Sequence, residues 1–439
     1  MPDNDDYRAA LRALSDELIA IQKPILILDA IKWPQAMENA FFAGGAKTLP
    51  AFGREEYLQR NPLNFDPATT DQRLGDFQKR IANVLGHNDP LGTILWETAE
   101  QYRLVVKLLS ERGRPEFLTA SRQLYGSARD HLRGDSTPLI DMGKRLCEIF
   151  SLPAASHLAS AYPKNISAEQ AVIQLRERLQ PFFHDSAFSV RETDGIVSDA
   201  AAGGDCIKIN SNASFSRLEL QVLEVHEGWV HVGTTLNGRR QPWASWLSVG
   251  SPRITALQEG LAVLIETLTF SSFPGRARKI SDRVVAIDMA EQGADFIEVY
   301  RHFVDHGLSP KESYKIAQRV FRGGMVGGGA CFTKDLSYVK GFVETVNFIR
   351  SAILADVPQI LPLLFVGKVS LGDVPVLYQY LDDGTIQAPH YLPPMFRDLN
   401  GLYVWFGFSS GLSQVNLQSV QSHFQTLFHQ LKPTPGSEL

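Results

Sequence analysis

The residues best suited to chemistry lie in one short segment, residues 225–231, which reads Val-His-Glu-Gly-Trp-Val-His. The segment holds two histidines, His226 and His231, and places Glu227 directly after the first. Imidazole nitrogens are common zinc ligands, and a glutamate beside such a ligand is placed to take a proton from the water that the metal activates. The segment therefore predicts a catalytic metal site in which Glu227 is the general base.

The spacing of these histidines is one residue longer than a regular α-helix favours. Residues four positions apart lie about 40° apart around a helix, whereas residues five apart are separated by about 140°. A π-helical turn absorbs one extra residue and recurs at functional sites, and Gly228 would ease the distortion. Ser216, followed by Glu219 three positions later, predicts where this helix begins. We therefore predict a helix from Ser216 with a π-bulge between the histidines.

A second helix supplies the third ligand in this interpretation. Residues 253–266 are mostly apolar and helical in pattern, yet they include Glu259, and a buried carboxylate needs a partner. A catalytic zinc ion takes three protein ligands and leaves its fourth position open. We predict one zinc ion per chain, held by His226, His231 and Glu259. Glu266, one heptad later, is expected to orient a histidine or to replace Glu259 as the ligand.

A structural interpretation competes with this hypothesis, because helix histidines are also found in cores with ordinary hydrogen bonds. A structural zinc ion usually has another Cys or His in its fourth position. The three cysteines, Cys147, Cys206 and Cys331, are far apart and have no Cys-x-x-Cys spacing. They indicate neither a thiolate zinc site nor a disulfide framework, so a catalytic site in a reducing compartment is favoured.

Composition narrows the partners. The 439 residues are 44% hydrophobic and 21% charged, which is typical of a globular protein. The net charge is −5 and no dense Lys/Arg run occurs, so neither nucleic acid nor a membrane is expected as a partner. The first residues are acidic where a secretory signal would be basic and then apolar. We expect a cytoplasmic protein.

The patterns predict an α+β fold that is mainly α. Residues 1–162 form an N-terminal helical region, 163–360 a zincin-like catalytic core, and 361–439 a C-terminal region of helix and loop packed on that core. The proline- and glycine-rich stretch 33–62 is expected to be irregular. Short strands are expected at 188–192 and 207–210, with turns at 199–205 between them. The second strand is a candidate edge for pairing with an extended substrate.

The five residues 258–262, Gln-Glu-Gly-Leu-Ala, add a family resemblance. This motif resembles the signature of the QEGLA-motif, or flavohaemoglobin expression-modulating, proteins, which are related to the microtubule-associated tyrosine carboxypeptidases. The resemblance spans most of the chain. It implies a carboxypeptidase with His226, His231 and Glu259 as zinc ligands and Glu227 as the catalytic glutamate. The chain lacks a long basic N-terminal extension that would seat it on microtubules, so tubulin is not expected as its substrate.

Substrate contacts are expected around the glycine-rich segment 322–330. A carboxypeptidase must bind a terminal carboxylate, for which Arg322 and Lys334 are the candidates. Tyr338 is the candidate donor to the developing oxyanion. The alternative is that residues 333 and 335 only cap a helix while Lys334 is solvated.

Three tryptophans near the metal segment, Trp229, Trp243 and Trp246, are expected chiefly in the core. The alternative is a pocket for an aromatic terminal residue.

The sequence thus predicts a zinc carboxypeptidase that removes a C-terminal residue, with an aromatic one as the candidate, from a peptide or protein. Two alternatives stay open. One is a non-catalytic regulatory or binding protein with a structural metal. The other is a peptidase that acts at the N-terminus, where an acidic pocket would bind the substrate's amine.

Overall fold

The computed structural model describes residues 4–160, 162–194, 196 and 198–428. Helices dominate and two small sheets complete the described chain, which confirms an α+β fold that is mainly α. Within these residues, no helix is long and apolar enough to cross a membrane. Residues 429–439 of the predicted C-terminal region lie outside the described part.

The N-terminal region is helical, as expected. Its helices are α1 Asn4–Gln22, α2 Ile27–Ala30, α3 Gln35–Ala43, α4 Arg54–Arg60, α5 Pro67–Leu85, α6 Pro90–Ser110, α7 Glu116–Tyr125, α8 Leu139–Phe150 and α9 Pro153–Ser160. Helices α5 and α6 begin in the same way, because Asp66 and Asp89 each precede a proline and accept a backbone N–H of the first turn. Helices α1, α5 and α6 pack together and α7 packs on α6.

The stretch 33–62 is more ordered than expected, because it contains α3 and α4. Apolar burial explains the difference. Phe41 of α3 makes edge contacts with Phe296 and Tyr300, and Trp33 stacks on Phe296 at 5.8 Å. These aromatic contacts come from residues more than 250 positions away in the chain, so local proline and glycine signals did not reveal them.

The small sheets precede the segment that contains His226 and His231. Strand β1 is Ile166–Ser167 and is followed by α10 Ala168–Leu179; the others are β2 Ser189–Thr193, β3 Ala200–Gly203, β4 Cys206–Asn210 and β5 Ser214–Phe215. β1 pairs with β5, while β2, β4 and β3 form a sheet in that order, with β2 parallel and β3 antiparallel to β4.

The two predicted strands are confirmed as β2 and β4, but the expected turn at 199–205 contains β3, and β4 is central rather than an edge. Pairing with β4 holds the alanine-rich β3 extended despite its weak strand propensity. With β2 on one side and β3 on the other, β4 has no free backbone groups for a substrate strand. The sheet edge that lies against the π-helix segment Glu224–Val232 belongs to β3.

The rest of the chain is helical. Its helices are α11 Arg217–Leu223, α12 Gly233–Arg239, α13 Thr255–Leu268, α14 Pro274–Glu291, α15 Phe296–Asp305, α16 Pro310–Phe321, α17 Ser337–Leu354, α18 Asp373–Tyr378, α19 Pro394–Arg397, α20 Asn400–Leu412 and α21 Leu417–Phe428, with 3₁₀ turns at Ser245–Ser248, Pro252–Ile254, Lys334–Leu336 and Pro358–Phe365. One large core runs from Leu11 to Phe406, and a smaller one lies between α10 and the β2–β4–β3 sheet. The division into three regions stays a prediction.

Candidate metal centre

The segment that contains His226 and His231 has the distortion that the spacing of these histidines predicts. The helix starts at a capping box, in which Ser216 Oγ accepts the Glu219 N–H at 3.2 Å and the Glu219 carboxylate accepts the Ser216 N–H at 2.8 Å. After α11 the backbone continues as a π-helix over nine residues, Glu224–Val232, and then as α12. The predicted π distortion is confirmed. It brings the rings of His226 and His231 to 4.8 Å between centroids, nearly perpendicular to each other.

Glu259 on α13 meets both histidines. Its Oε2 lies 3.5 Å from His226 Nε2 and 3.7 Å from His231 Nε2. The three side chains are 11%, 4% and 17% exposed, respectively. Two ligand atoms on one tetrahedral zinc ion, each about 2.1 Å from it, lie about 3.4 Å apart. The separations therefore suit a shared ion better than direct hydrogen bonds.

The same oxygen is the strongest local evidence that these residues can hold a cation. Glu259 Oε2 is buried and has no hydrogen-bond partner among the described residues, while Oε1 accepts Lys334 Nζ at 2.9 Å. Burial raises the pKa of Glu259, but the Lys334 charge and the two histidines hold it well below its usual range. An ionised, unpaired carboxylate oxygen aimed at two imidazoles fits a divalent metal ion.

A buried carboxylate orients His226. Its Nδ1 lies 2.6 Å from Glu266 Oε1, and Arg276 Nη2 donates to the same oxygen at 3.0 Å. Burial raises the pKa of Glu266, but Arg276 and His226 lower it to about 2. A proton on Nδ1, shared with Glu266, leaves Nε2 free to bind a metal. The expectation that Glu266 orients a histidine agrees with this geometry.

A different group supports His231. Its Nδ1 lies 3.4 Å from Gln258 Oε1, which also accepts Thr234 Oγ1 at 3.0 Å and Lys368 Nζ at 2.8 Å. Lys368 donates to the His231 carbonyl at 2.9 Å as well. Burial lowers the pKa of Lys368 to about 7, although the negative charges of Glu259 and Glu227 act to raise it. Sequence reasoning missed Lys368 because 137 residues separate it from His231.

The glycine of the QEGLA motif sets the distance between two helices. An added Cβ on Gly260 of α13 would lie 2.0 Å from the carbonyl carbon of Gly341 on α17, and one on Gly341 would lie 1.8 Å from the Ala256 carbonyl oxygen. Backbone atoms cannot yield to such contacts as a flexible side chain would. The motif therefore combines a residue that supports His231, a candidate ligand and a helix crossing that only glycine permits.

Glu227 lies at a cavity beside the three candidate ligands. The cavity has a volume of about 520 Å³, and both His226 and Glu227 are among its lining residues. Glu227 Oε2 accepts the backbone N–H of Ala202 at 2.7 Å, so β3 holds this carboxylate at the cavity wall. Ala200, at the start of β3, lines the same cavity.

The other predicted site residues lie deeper. The Tyr338 ring stacks on His226 at 6.4 Å between centroids. Lys334 is bound to Glu259, and the Arg322 guanidinium lies over the Phe332 ring at 5.6 Å. Tyr338, Lys334 and Arg322 are not among the described residues that line the cavity.

The helix-cap alternative for this segment is wrong. Asp335 accepts two hydrogen bonds from Arg319, at 2.5 and 2.8 Å, instead of capping a helix. Thr333 bonds to Ser121 of α7 and makes no cap bond. Lys334 is paired rather than solvated, since its Nζ is bound to Glu259.

Two arginines that sequence reasoning missed do reach the cavity. Arg319 and Arg283 both line it and share the carboxylate of Asp335, from which Arg283 Nε is 3.7 Å away. The buried Arg283 Nη1 has no hydrogen-bond partner among the described residues. Two guanidinium groups on one carboxylate leave an excess of positive charge at the cavity wall.

The tryptophans belong to the core, as chiefly expected. Trp246 is buried, and Trp229 stacks on Phe182 with ring centroids 5.5 Å apart. Trp243 is partly buried against the large core. None of the three is among the described residues that line the cavity.

A second group of the same residue types lies at the surface. Ligand atoms of His184, Asp185 and His390 all come within 4.8 Å of one another, as do those of His226, His231 and Glu259. His390 Nε2 is 2.9 Å from Asp185 Oδ2, which also lies 3.4 Å from Arg240 Nη1.

Fold and site together define a mainly helical protein with a buried two-histidine, one-carboxylate site that can hold a metal ion beside a cavity. A family model described as microtubule-associated tyrosine carboxypeptidase matches residues 39–414, and the chain belongs to this family. The relation predicted from the sequence is therefore confirmed, and the family implies a carboxypeptidase-like enzyme. A search of curated proteins found no match.

Proposed function

We propose that this protein is a zinc-dependent carboxypeptidase that removes the C-terminal residue of a peptide or protein. The observation that carries the proposal is the unpaired Glu259 Oε2, which faces the Nε2 atoms of His226 and His231 beside a cavity lined by Glu227. Family membership supports the direction of cleavage. Two imidazoles and one carboxylate favour zinc over harder metal ions.

When bound, zinc would polarise the scissile carbonyl and lower the pKa of the attacking water. Glu227 accepts the proton of that water and passes it to the leaving amine. Its position supports this role, because it follows a candidate ligand in the chain and is fixed at the cavity wall by the Ala202 N–H. Apart from the Ala202 N–H, which Glu227 accepts, the edge of β3 that faces away from β4 is the proposed contact for an extended substrate.

Tyr338 is the proposed oxyanion donor. Burial, and then the Glu259 charge, raise the pKa of its hydroxyl, so the phenol stays protonated and can donate a hydrogen bond. Its ring stacks on His226 behind the described cavity lining, which supports a position close to the proposed zinc ion.

The terminal carboxylate binds at Arg283 and Arg319 in this proposal. Both line the cavity and carry the excess positive charge around Asp335, whereas Lys334 is committed to Glu259 and Arg322 lies over Phe332. A guanidinium fork suits a carboxylate. Phe215 and Phe273, also in the lining, would contact an aromatic terminal side chain.

The charge of the cavity opposes cleavage at an N-terminus. Its described lining includes seven basic and four acidic side chains: Lys164, Arg276, Lys279, Arg283, Lys311, Lys315 and Arg319, against Asp199, Glu219, Glu227 and Glu312. An aminopeptidase needs negative charge to bind the substrate's amine, whereas a carboxypeptidase needs positive charge. The lining therefore favours the C-terminal end of a substrate.

Glu227→Gln tests the mechanism. We expect the variant to keep its zinc and lose about 10²- to 10⁴-fold in kcat, because the amide cannot accept a proton. The matched control is Glu224→Gln, one turn earlier in the π-helix, where the glutamate pairs with Arg178 at 3.5 Å. Elemental analysis gives zinc per chain, and release of the last residue from peptides that end in tyrosine gives the rate.

Three results would reject parts of the proposal. Unchanged turnover in Glu227→Gln would remove this residue as the base. Release of N-terminal residues by the wild type would reverse the direction of cleavage. Zinc-loaded wild type that cleaves no peptide at either end would favour the regulatory alternative.

A further inference from the structure

The last two described helices present an apolar surface to solvent. Between residues 400 and 428, ten large apolar side chains are each 47% to 74% exposed. We call this region, formed by α20, α21 and the connection between them, the C-terminal apolar surface. Such a concentration of exposed apolar side chains is uncommon on a monomer and typical of an interaction site.

Helix α20 uses only one of its faces within the described chain. Leu402 and Phe406 are buried, and the helix packs on α17. Val404, Phe408 and Leu412, four positions apart, form a stripe on the opposite face and are 57%, 74% and 69% exposed. A helix that is apolar on both faces needs a second packing partner.

Helix α21 is amphipathic, but no part of the chain that the structure describes buries its apolar face. Leu417, Phe424, Leu427 and Phe428 lie on one face, with glutamines and serines on the other, and none of its described residues is buried. An isolated helix of this length is marginal in water, because most helical stability comes from packing of the apolar face. The helix therefore calls for a partner that covers this face.

Charge identifies the kind of partner. Residues 399–428 contain no Asp, Glu, Lys or Arg, although 21% of the whole chain is charged. Helices that lie on membranes typically carry Lys and Arg for anionic lipids, and a partner with a charged patch would meet no complementary charge here. Two copies of an uncharged surface meet without like-charge repulsion, so the charge of this surface does not oppose self-association.

We propose that the C-terminal apolar surface binds the same surface of a second copy of this chain, which forms a two-fold symmetric dimer. Ten large apolar side chains, about half exposed, offer on the order of 1,000 Å² per protomer. A stable interface needs about 800 Å² per partner. The exposed apolar area of the two helices together therefore reaches the size of such an interface.

The mass of the full-length protein in solution, measured by light scattering at micromolar concentration, tests this dimer. We expect twice the 48.8 kDa of one chain for the wild type. Phe408→Glu and Phe424→Glu, one on each helix, should each halve that mass, because each would bury an unpaired charge at the interface. The matched control is Leu58→Glu on α4, where an equally large apolar side chain is 53% exposed away from this surface, and it should stay dimeric.

Circular dichroism should show that the variants remain folded, because the substituted side chains are exposed. A wild type of single-chain mass would overturn the proposal. A dimer that survives both substitutions would place the interface elsewhere and overturn it too. A monomer that sediments with vesicles of neutral lipid, and loses this binding in Phe408→Glu, would assign the surface to a membrane instead.

Discussion

The chain contains two clusters of two histidines and one carboxylate, and these clusters differ in burial and in the residues around them. His226, His231 and Glu259 are mostly buried at the junction of the π-helix and α13, whereas the His390 and Asp185 side chains are 37% and 35% exposed at the surface. In both groups the ligand atoms lie within 4.8 Å of one another. Ligand identity and proximity therefore do not separate a metal site from a surface cluster.

Their surroundings do separate them. In the buried group, Glu266 contacts Nδ1 of His226 and Gln258 contacts Nδ1 of His231, while Glu259 Oε2 has no hydrogen-bond partner among the described residues. In the surface group, Asp185 already bonds to His390, Arg240 and the Tyr391 hydroxyl. A metal would complete the first group but would have to displace existing partners in the second. Burial and oriented supporting residues distinguish the site.

Removing one histidine from each group gives the largest expected contrast. His226→Ala should lower the zinc content from about one per chain to near zero, because only two of the three proposed protein ligands remain. His390→Ala should leave the content unchanged. Elemental analysis of both proteins, prepared without added metal, measures the difference. Zinc lost only from His390→Ala would reverse the assignment.

Substitution of a supporting residue should weaken zinc binding, but less than substitution of a ligand. Glu266→Gln should weaken zinc affinity about 10- to 100-fold, because the neutral amide no longer fixes the proton on His226 Nδ1. Asp185→Asn in the surface group should have no effect on this affinity. Competition with a chromogenic chelator measures both constants. Equal affinities for wild type and Glu266→Gln would show that this carboxylate serves the fold alone.

The helix crossing gives the smallest of the three effects. Gly260→Ala should lower the free energy of unfolding by about 2 kcal/mol, because the new methyl group would overlap the Gly341 backbone. Gly75→Ala on α5 is the matched control: its Cβ would meet no atom closer than 4.0 Å, so helix propensity should raise stability by about 0.5–1 kcal/mol. Denaturant titration measures both changes. A Gly260→Ala protein as stable as Gly75→Ala would show that α13 and α17 can separate freely.

Local patterns predicted much of the site. The histidine spacing predicted the π-helix, and the heptad from Glu259 to Glu266 predicted the oriented histidine. In each case the signal and its structural consequence lie within one helix or one pair of neighbouring helices. The geometry of a helix is enough to connect them.

The missed features depend on contacts between distant segments. Lys368 reaches His231 from 137 residues away, and β3 is a strand because β4 pairs with it rather than because alanine favours strands. Arg319 and Arg283 became candidates for binding the substrate carboxylate only because the fold places both beside Asp335 at the cavity wall. No spacing within the sequence encodes these encounters, so one chain without a structure could not reveal them.

The π-helix also sets the rotation of α12 relative to α11. The candidate metal site and the contacts of α12 with the C-terminal part of the chain therefore depend on the same distortion. If the π-helix relaxed to a regular α-helix with all its residues retained, every later residue of the helix would turn by about 100° relative to α11. In α12, Asn237 donates to the carbonyls of Phe365 at 2.7 Å and Tyr391 at 2.9 Å, the latter 154 residues further along. The same rotation would pull Asn237 away from both. The π-helix therefore keeps the histidines and Asn237 on the faces of the helix where each finds its partners. A regular α-helix would have better backbone hydrogen bonds, but it would lose the Asn237 contacts to Phe365 and Tyr391.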